Sequence, residues 1–197
     1  MQNAEEIDLT WKIGGEAGYG IMTAGLIFAK VFSRLGYNVF ATNDFPSLIR
    51  GGHNTFTIRI STQQLHANIT PVNLLVALNK ETILLHKSEL AENSAVIYDE
   101  KIQLEPSEKN NKNFFSVPLS DIAQKAGEAK VMMNLVAVGS SIAMLGDNFQ
   151  VLSELIKEIF GKKGLEIIKN NINAAKAGHD YVKQKYKPIS YISQKYK

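Results

Sequence analysis

The chain has 197 residues, a length that fits one domain, or one domain with a tail. Apolar residues make up 45%, enough for one sizeable core, and the net charge of +3 is too small to mark a nucleic-acid-binding protein. Cysteine is absent, which excludes disulfides, thiolate-held zinc and thiolate-held iron–sulfur clusters within this chain.

Met1–Glu6 is acidic and lacks the basic and apolar regions of a signal peptide. No run reaches the roughly 18 apolar residues of a membrane span, so a soluble cytoplasmic protein is expected. Ile7, Leu9, Trp11 and Ile13 alternate with polar residues and predict a first strand over 8–13. Gly14-Gly15-Glu16-Ala17-Gly18-Tyr19-Gly20 follows, and then an apolar-periodic run predicts a helix over 20–35. Gly15, Gly18 and Gly20 read G-x-x-G-x-G, close to the dinucleotide-binding G-x-G-x-x-G but not identical to it. Two readings stand. The turn and helix N-terminus cradle an anionic group, with Asp44, about 24 residues beyond Gly20, as a ribose acceptor. Or the glycines serve close strand–helix packing, which is the preferred reading.

Gly36 stops the helix, and Tyr37–Thr42 reads as a second strand. Residues 43–54 hold Pro46, Ser47, Arg50, Gly51, Gly52 and His53 and read as a loop between strands. Thr55–Ser61 alternates as a half-buried strand, joined by too short a link for a crossover helix, so it runs antiparallel and makes the sheet mixed. Residues 65–69 are expected to form a hairpin arm. Val72–Leu78 is continuously apolar and reads as a strand buried on both faces. A helix over 81–90, with Ile83, Leu84 and Leu90 inward, precedes strands at 95–99 and 114–117. Ser120 and Asp121 are expected to cap a helix ending at Ala126. Asn134–Leu145 is the most apolar helix, with Gly139, Ser140 and Ser141 set for close backbone approach; 149–160 and 164–186 are amphipathic helices.

Together these elements predict an α/β fold: one Rossmann-like three-layer domain with a mostly parallel, partly mixed sheet and a helical C-terminal part. The domain spans 1–186, and 187–197 is a tail or the start of a linker.

Three segments, Gly14–Ile21, Pro46–Gly52 and Leu74–Asn79, together resemble the gamma domain or subunit of the 2-oxoacid:ferredoxin oxidoreductases, a family that includes pyruvate and 2-oxoglutarate enzymes. Ala174-Ala175-Lys176-Ala177-Gly178 resembles that domain's last helix. The Ser47–Gly52 wording is most similar to alpha-type polypeptides of 2-oxoglutarate-like enzymes, in which this domain is fused ahead of a thiamin-binding domain.

The resemblance implies oxidative decarboxylation of a 2-oxoacid to an acyl-CoA with reduction of ferredoxin. It implies a holoenzyme with thiamin diphosphate, magnesium, an iron–sulfur cluster and coenzyme A as co-substrate. It also implies alpha, beta and iron–sulfur subunits or domains as partners, with no nucleic acid and no membrane. No cofactor is assigned to this chain, which lacks a Gly-Asp-Gly…Asn signature, and no residue is expected to be catalytic.

Within that frame Arg50 is the first candidate, since a guanidinium on a glycine-flanked loop clamps a phosphate or carboxylate bidentately. Ser47, Gly51, Gly52, Gly15, Gly18 and Gly20 complete the binding set. For Arg50 a loop-bracing salt bridge is the alternative, and for Ser47 a turn-forming role is the favoured one. His53 is read as a structural residue, and His66, His86 and His179 show no ligand spacing, so no metal site is expected. Lys162, Lys163, Lys169 and Lys176 read as a solvated face. Two other functions remain open on sequence: a free-standing Rossmann-type nucleotide-binding oxidoreductase, and an assembly module without a ligand.

Overall fold

Six strands and seven α-helices make up the fold in the computed structural model, which describes residues 7–45, 52–127, 129–146 and 148–189. The strands are β1 (Asp8–Glu16), β2 (Asn38–Asp44), β3 (His53–Ser61), β4 (Val72–Ala77), β5 (Leu90–Asp99) and β6 (Phe114–Val117). The helices are α1 (Ile21–Arg34), α2 (Lys80–His86), α3 (Pro106–Lys109), α4 (Leu119–Ala126), α5 (Ala129–Leu145), α6 (Phe149–Phe160) and α7 (Leu165–Lys185).

The sheet order is β2-β3-β1-β4-β5-β6. β1, β4, β5 and β6 are parallel neighbours, and β3 lies antiparallel to both β1 and β2. The mixed sheet expected from the short β2–β3 link is therefore present, with β3 as its antiparallel member.

Alternation along β1 sorts its side chains to two different environments. Leu9, Trp11 and Ile13 are wholly buried against the α1, α5, α6 and α7 side, together with Ile58, Ile60, Leu74, Val76 and Ile97. Trp11 stacks on Phe28 of α1 with ring centroids 4.1 Å apart and planes 15° from parallel. Its indole N–H donates to Ser141 Oγ of α5 at 3.1 Å. Each such large apolar side chain contributes roughly 1.5–3 kcal/mol by leaving water.

Helix α5 is buried on all sides from Met132 to Leu145, which is why its sequence shows little amphipathic periodicity. Gly139 and Ser140 face α7. A Cβ on Gly139 would stand 1.9 Å from the Ala175 carbonyl oxygen, and one on Gly178 would stand 2.2 Å from the Val136 carbonyl oxygen. The Ala174–Gly178 stretch therefore lets the α5 and α7 backbones touch within the domain.

Several expectations need correction. β1 runs on through Gly14 and Gly15 to Glu16, so two of the four glycines lie in the strand and not in the turn. Residues 65–69 form no strand. The helix expected over 81–90 is shorter: α2 ends at His86, a 3-10 turn covers Lys87–Glu89, and Leu90 already begins β5. Leu84 is 49% exposed, because only one stripe of this two-turn helix reaches the sheet, and Thr82 and Ile83 fill it. Ser120 and Asp121 do not cap α4. Ser120 lies inside its first turn, and the cap comes from the end of β5: Asp99 accepts the Ser120 N–H at 2.6 Å.

Candidate functional site at the carboxyl end of β1

Two motifs that are far apart in the sequence meet at the carboxyl end of β1. The β1–β3 ladder pairs Gly15 with Asn54 and Glu16 with His53. One step further, the Ala17 N–H donates to the Gly52 carbonyl at 3.1 Å. The glycine-rich turn is thus stitched to the exit of the loop that joins β2 to β3. Of the binding set, Ser47, Arg50 and Gly51 lie outside the described residues.

The described glycines do different jobs. Gly14 and Gly15 allow close packing: a Cβ on Gly14 would stand 2.6 Å from Thr82 of α2, and one on Gly15 would stand 3.1 Å from Leu78. Gly18, Gly20 and Gly52 have φ of 97°, 69° and 96°, conformations that favour glycine. Gly18 faces open space, whereas Gly20, the residue that opens α1, is gripped by Asn134 of α5. The Asn134 amide donates to the Gly20 carbonyl at 3.1 Å, and its own oxygen is buried without a partner. The α1 N-terminus is therefore tied to the core through Asn134 of α5.

Asp44 sits at the end of β2 and accepts the Thr55 hydroxyl at 3.5 Å. The cleft it shares with Ile21, Phe45 and Asn54 has a volume of about 30 Å³, room for a water and not for a ribose.

The sequence reading missed a polar cluster on the opposite face of β1. Lys12 lies between Thr10 and Gly14, on the face turned away from the apolar core, yet it is only 8% exposed. Its ammonium pairs closely with Glu89 and lies 3.4 Å from His86 Nδ1. Glu89 also contacts His86 Nδ1 at 2.9 Å, and His86 Nε2 lies 2.9 Å from His53 Nε2. Burial pulls the Glu89 carboxyl upward, but hydrogen bonds from Lys12 and His86 outweigh it and hold the group below its ordinary value of 4.5. Burial, reinforced by His86 and Lys12, pushes His53 below its ordinary 6.5, while Glu81 opposes this. Beside the cluster a cavity of about 200 Å³ is lined by Lys12, Glu89, Asp44, Thr42, Thr57 and Asn68, among others. His53 is therefore no lone histidine. The His-x-x-Glu spacing of His86 and Glu89 across the end of a helix was the available signal.

Most of the chain has known counterparts. Residues 10–181 match the family described as pyruvate ferredoxin/flavodoxin oxidoreductase. A Sulfolobus protein called 2-oxoacid:ferredoxin oxidoreductase subunit alpha is 30% identical over 92% of this chain and 35% of its own length. The chain thus spans about a third of such alpha subunits. Among solved structures, the 2-oxoglutarate:ferredoxin oxidoreductase of Magnetococcus marinus, with 2-oxoglutarate, coenzyme A and succinyl-CoA bound, superposes with a TM-score of 0.85 at 26% identity, over 95% of this chain and 33% of that one. The gamma subunit of a keto/oxoacid ferredoxin oxidoreductase from Geobacter sulfurreducens shares the fold from end to end, with a TM-score of 0.71 at 19% identity over 93% of this chain and 100% of that one. With its fold and its two stitched glycine motifs in place, the chain belongs to the pyruvate ferredoxin/flavodoxin oxidoreductase family.

Proposed function

We propose that this chain works in the cytoplasm as the gamma-type part of a 2-oxoacid:ferredoxin oxidoreductase complex. That complex oxidatively decarboxylates a 2-oxoacid of the 2-oxoglutarate kind to its acyl-CoA, and the electrons pass to ferredoxin. The observation that carries this reading is the likeness to the 2-oxoglutarate enzyme of Magnetococcus marinus. We read residues 1–186 as the gamma domain and 187–197 as a C-terminal tail or the start of a linker, whose first residues are still tied to the core where the Ile189 N–H donates to the Met144 carbonyl at 2.9 Å.

The residues of this chain do not fit the redox groups that such a complex needs. There is no cysteine to hold an iron–sulfur cluster, and Gly146-Asp147-Asn148 begins no thiamin-and-magnesium signature. Among the described residues no three His, Asp or Glu side chains are grouped to hold a metal. We therefore assign thiamin diphosphate, magnesium and the iron–sulfur cluster to the alpha, beta and iron–sulfur partners, and no chemical step to this chain. Its contribution is binding and shape. Arg50 clamps a coenzyme A phosphate bidentately, Ser47 donates to the same group, Gly51 and Gly52 allow the loop to approach, and Gly15, Gly18 and Gly20 set the α1 N-terminus beside it.

The test is reconstitution with the partner subunits. Arg50→Ala should raise the KM for coenzyme A by roughly tenfold to a hundredfold, the loss expected for a charge-assisted contact, and leave kcat nearly unchanged. An unchanged KM removes Arg50 from the coenzyme A site. The isolated chain should neither oxidise a 2-oxoacid nor bind NAD(P)H tightly. Tight nicotinamide binding would instead establish a free-standing nucleotide-binding oxidoreductase.

A further inference from the structure

The His53–His86 contact has a direction that its surroundings fix. Glu89, held ionised by Lys12 and His86, only accepts hydrogen bonds, so His86 Nδ1 must carry the proton shared across their 2.9 Å contact. In neutral His86 the other ring nitrogen, Nε2, is then a bare acceptor. The nitrogen 2.9 Å away, Nε2 of His53, must be the donor. His53 Nδ1 is left unprotonated, and it is buried without a partner. The chain of bonds runs from His53 through His86 to Glu89, with Lys12 closing the far end.

The two rings join separate elements. His53 is the first residue of β3, directly after Gly52, and His86 is the last residue of α2. Gly52 in turn accepts from Ala17 in the glycine-rich turn. The contact therefore anchors the exit of the β2–β3 loop to α2, on the face of the sheet away from the main core.

We propose that this pair is an acid-opened clamp: one N–H···N bond holds it shut at neutral pH, and uptake of a proton by each ring makes both Nε2 atoms donors and drives them apart. The charged groups around it set the threshold. Lys12 on β1 disfavours added positive charge; Glu89 after α2 and Glu81 within α2 favour it. One extra proton is tolerated, because a single imidazolium still donates to a neutral partner. The second leaves two cations and two N–H groups face to face, and no hydrogen bond survives. Opening then releases the residues after Gly52 from α2 while β3 stays in the sheet. The clamp stands whether or not the loop binds coenzyme A.

Ring-nitrogen NMR on the full chain tests it, with amide exchange followed from pH 8 to pH 5. At pH 8, His53 should carry its proton on Nε2 and His86 on Nδ1. After correction for intrinsic exchange, opening at His53, Asn54 and Lys87 should rise by up to about tenfold per pH unit, the slope of the one proton that the open pair binds and the closed pair does not, relative to Val76 in the core. His86→Gln keeps an amide oxygen to accept from His53 at every pH, and should abolish the rise. His53→Gln, made in parallel, should do the same and covers failure of the first variant to fold. The opposite tautomers, a flat exchange profile, or an undiminished rise in both variants would overturn the clamp. So would stoichiometric, chelator-reversible Zn²⁺ binding that needs both histidines, because the rings would then be a ligand pair.

Discussion

The two faces of the sheet are built on opposite principles. On one, Leu9, Trp11, Ile13, Ile58, Ile60, Leu74, Val76 and Ile97 meet α1, α5, α6 and α7 in a continuous apolar layer. On the other, the β4–β5 side carries small apolar clusters, around Leu75 and Val96 and around Ala77 and Ile83. Over β1, β3 and β2 that face turns polar, with Thr10, Lys12, Thr55 and Thr57 buried there. The first face holds the chain together through area and shape. The second is held by a few directional bonds whose strength depends on protonation. Stability and pH response are therefore separable, because β1 sends alternate residues to each.

Breaking the apolar face should cost the most. Gly178→Val forces a side chain into the Val136 carbonyl, with no room for the backbones to part, and should lower stability by about 3 kcal/mol or more in urea denaturation. A smaller loss would mean that α5 and α7 can slide apart. Trp11→Ala removes the stacked ring and its bond to Ser141, and should cost about 3–5 kcal/mol, with an unchanged pH profile.

Lys12→Met probes the polar face. It strands Glu89 and His86 without their cation and should cost about 1–3 kcal/mol at pH 7.5. Adding Glu89→Gln should recover part of that loss, a non-additivity that a double-mutant cycle would read.

The smallest effect is the wild-type pH slope. His53 sits below 6.5 when folded, so the unfolded chain binds the proton first, and stability falls as pH drops through about 6.5 toward the folded value. Glu89 sits below 4.5 when folded, so its contribution is full above that value and is lost below it. Both losses lie on the acid side, and in His86→Gln the upper step should shrink. If that step persists unchanged, some other group carries it.

Much of the fold could be read from residue order. Period-two alternation marked β1 and β3, a continuous apolar run marked β4, and Gly36 marked the end of α1. The antiparallel placing of β3 followed from the length of its connection. What escaped was long-range. Nothing in the sequence around Ser120 tells that its cap is the side chain of Asp99, about 21 residues earlier. His53 and His86 lie 33 residues apart, and only the pairing of β3 beside β1, with α2 laid across β1 and β4, brings their rings together. At the candidate site the glycine motifs were visible, but their separate duties were not. Whether a glycine serves a turn or a tight contact depends on neighbours such as Thr82 and Asn134 that arrive from elsewhere.

β3 returns beside β2 without a crossover helix, so the Ser47–Gly52 motif lies on the connector of a two-strand hairpin at the sheet's margin. A change in how β2 and β3 are joined leaves the order of the parallel strands β1-β4-β5-β6 untouched. A lineage could retune what that connector touches, one substitution at a time, while the tryptophan-centred interior stays as it is.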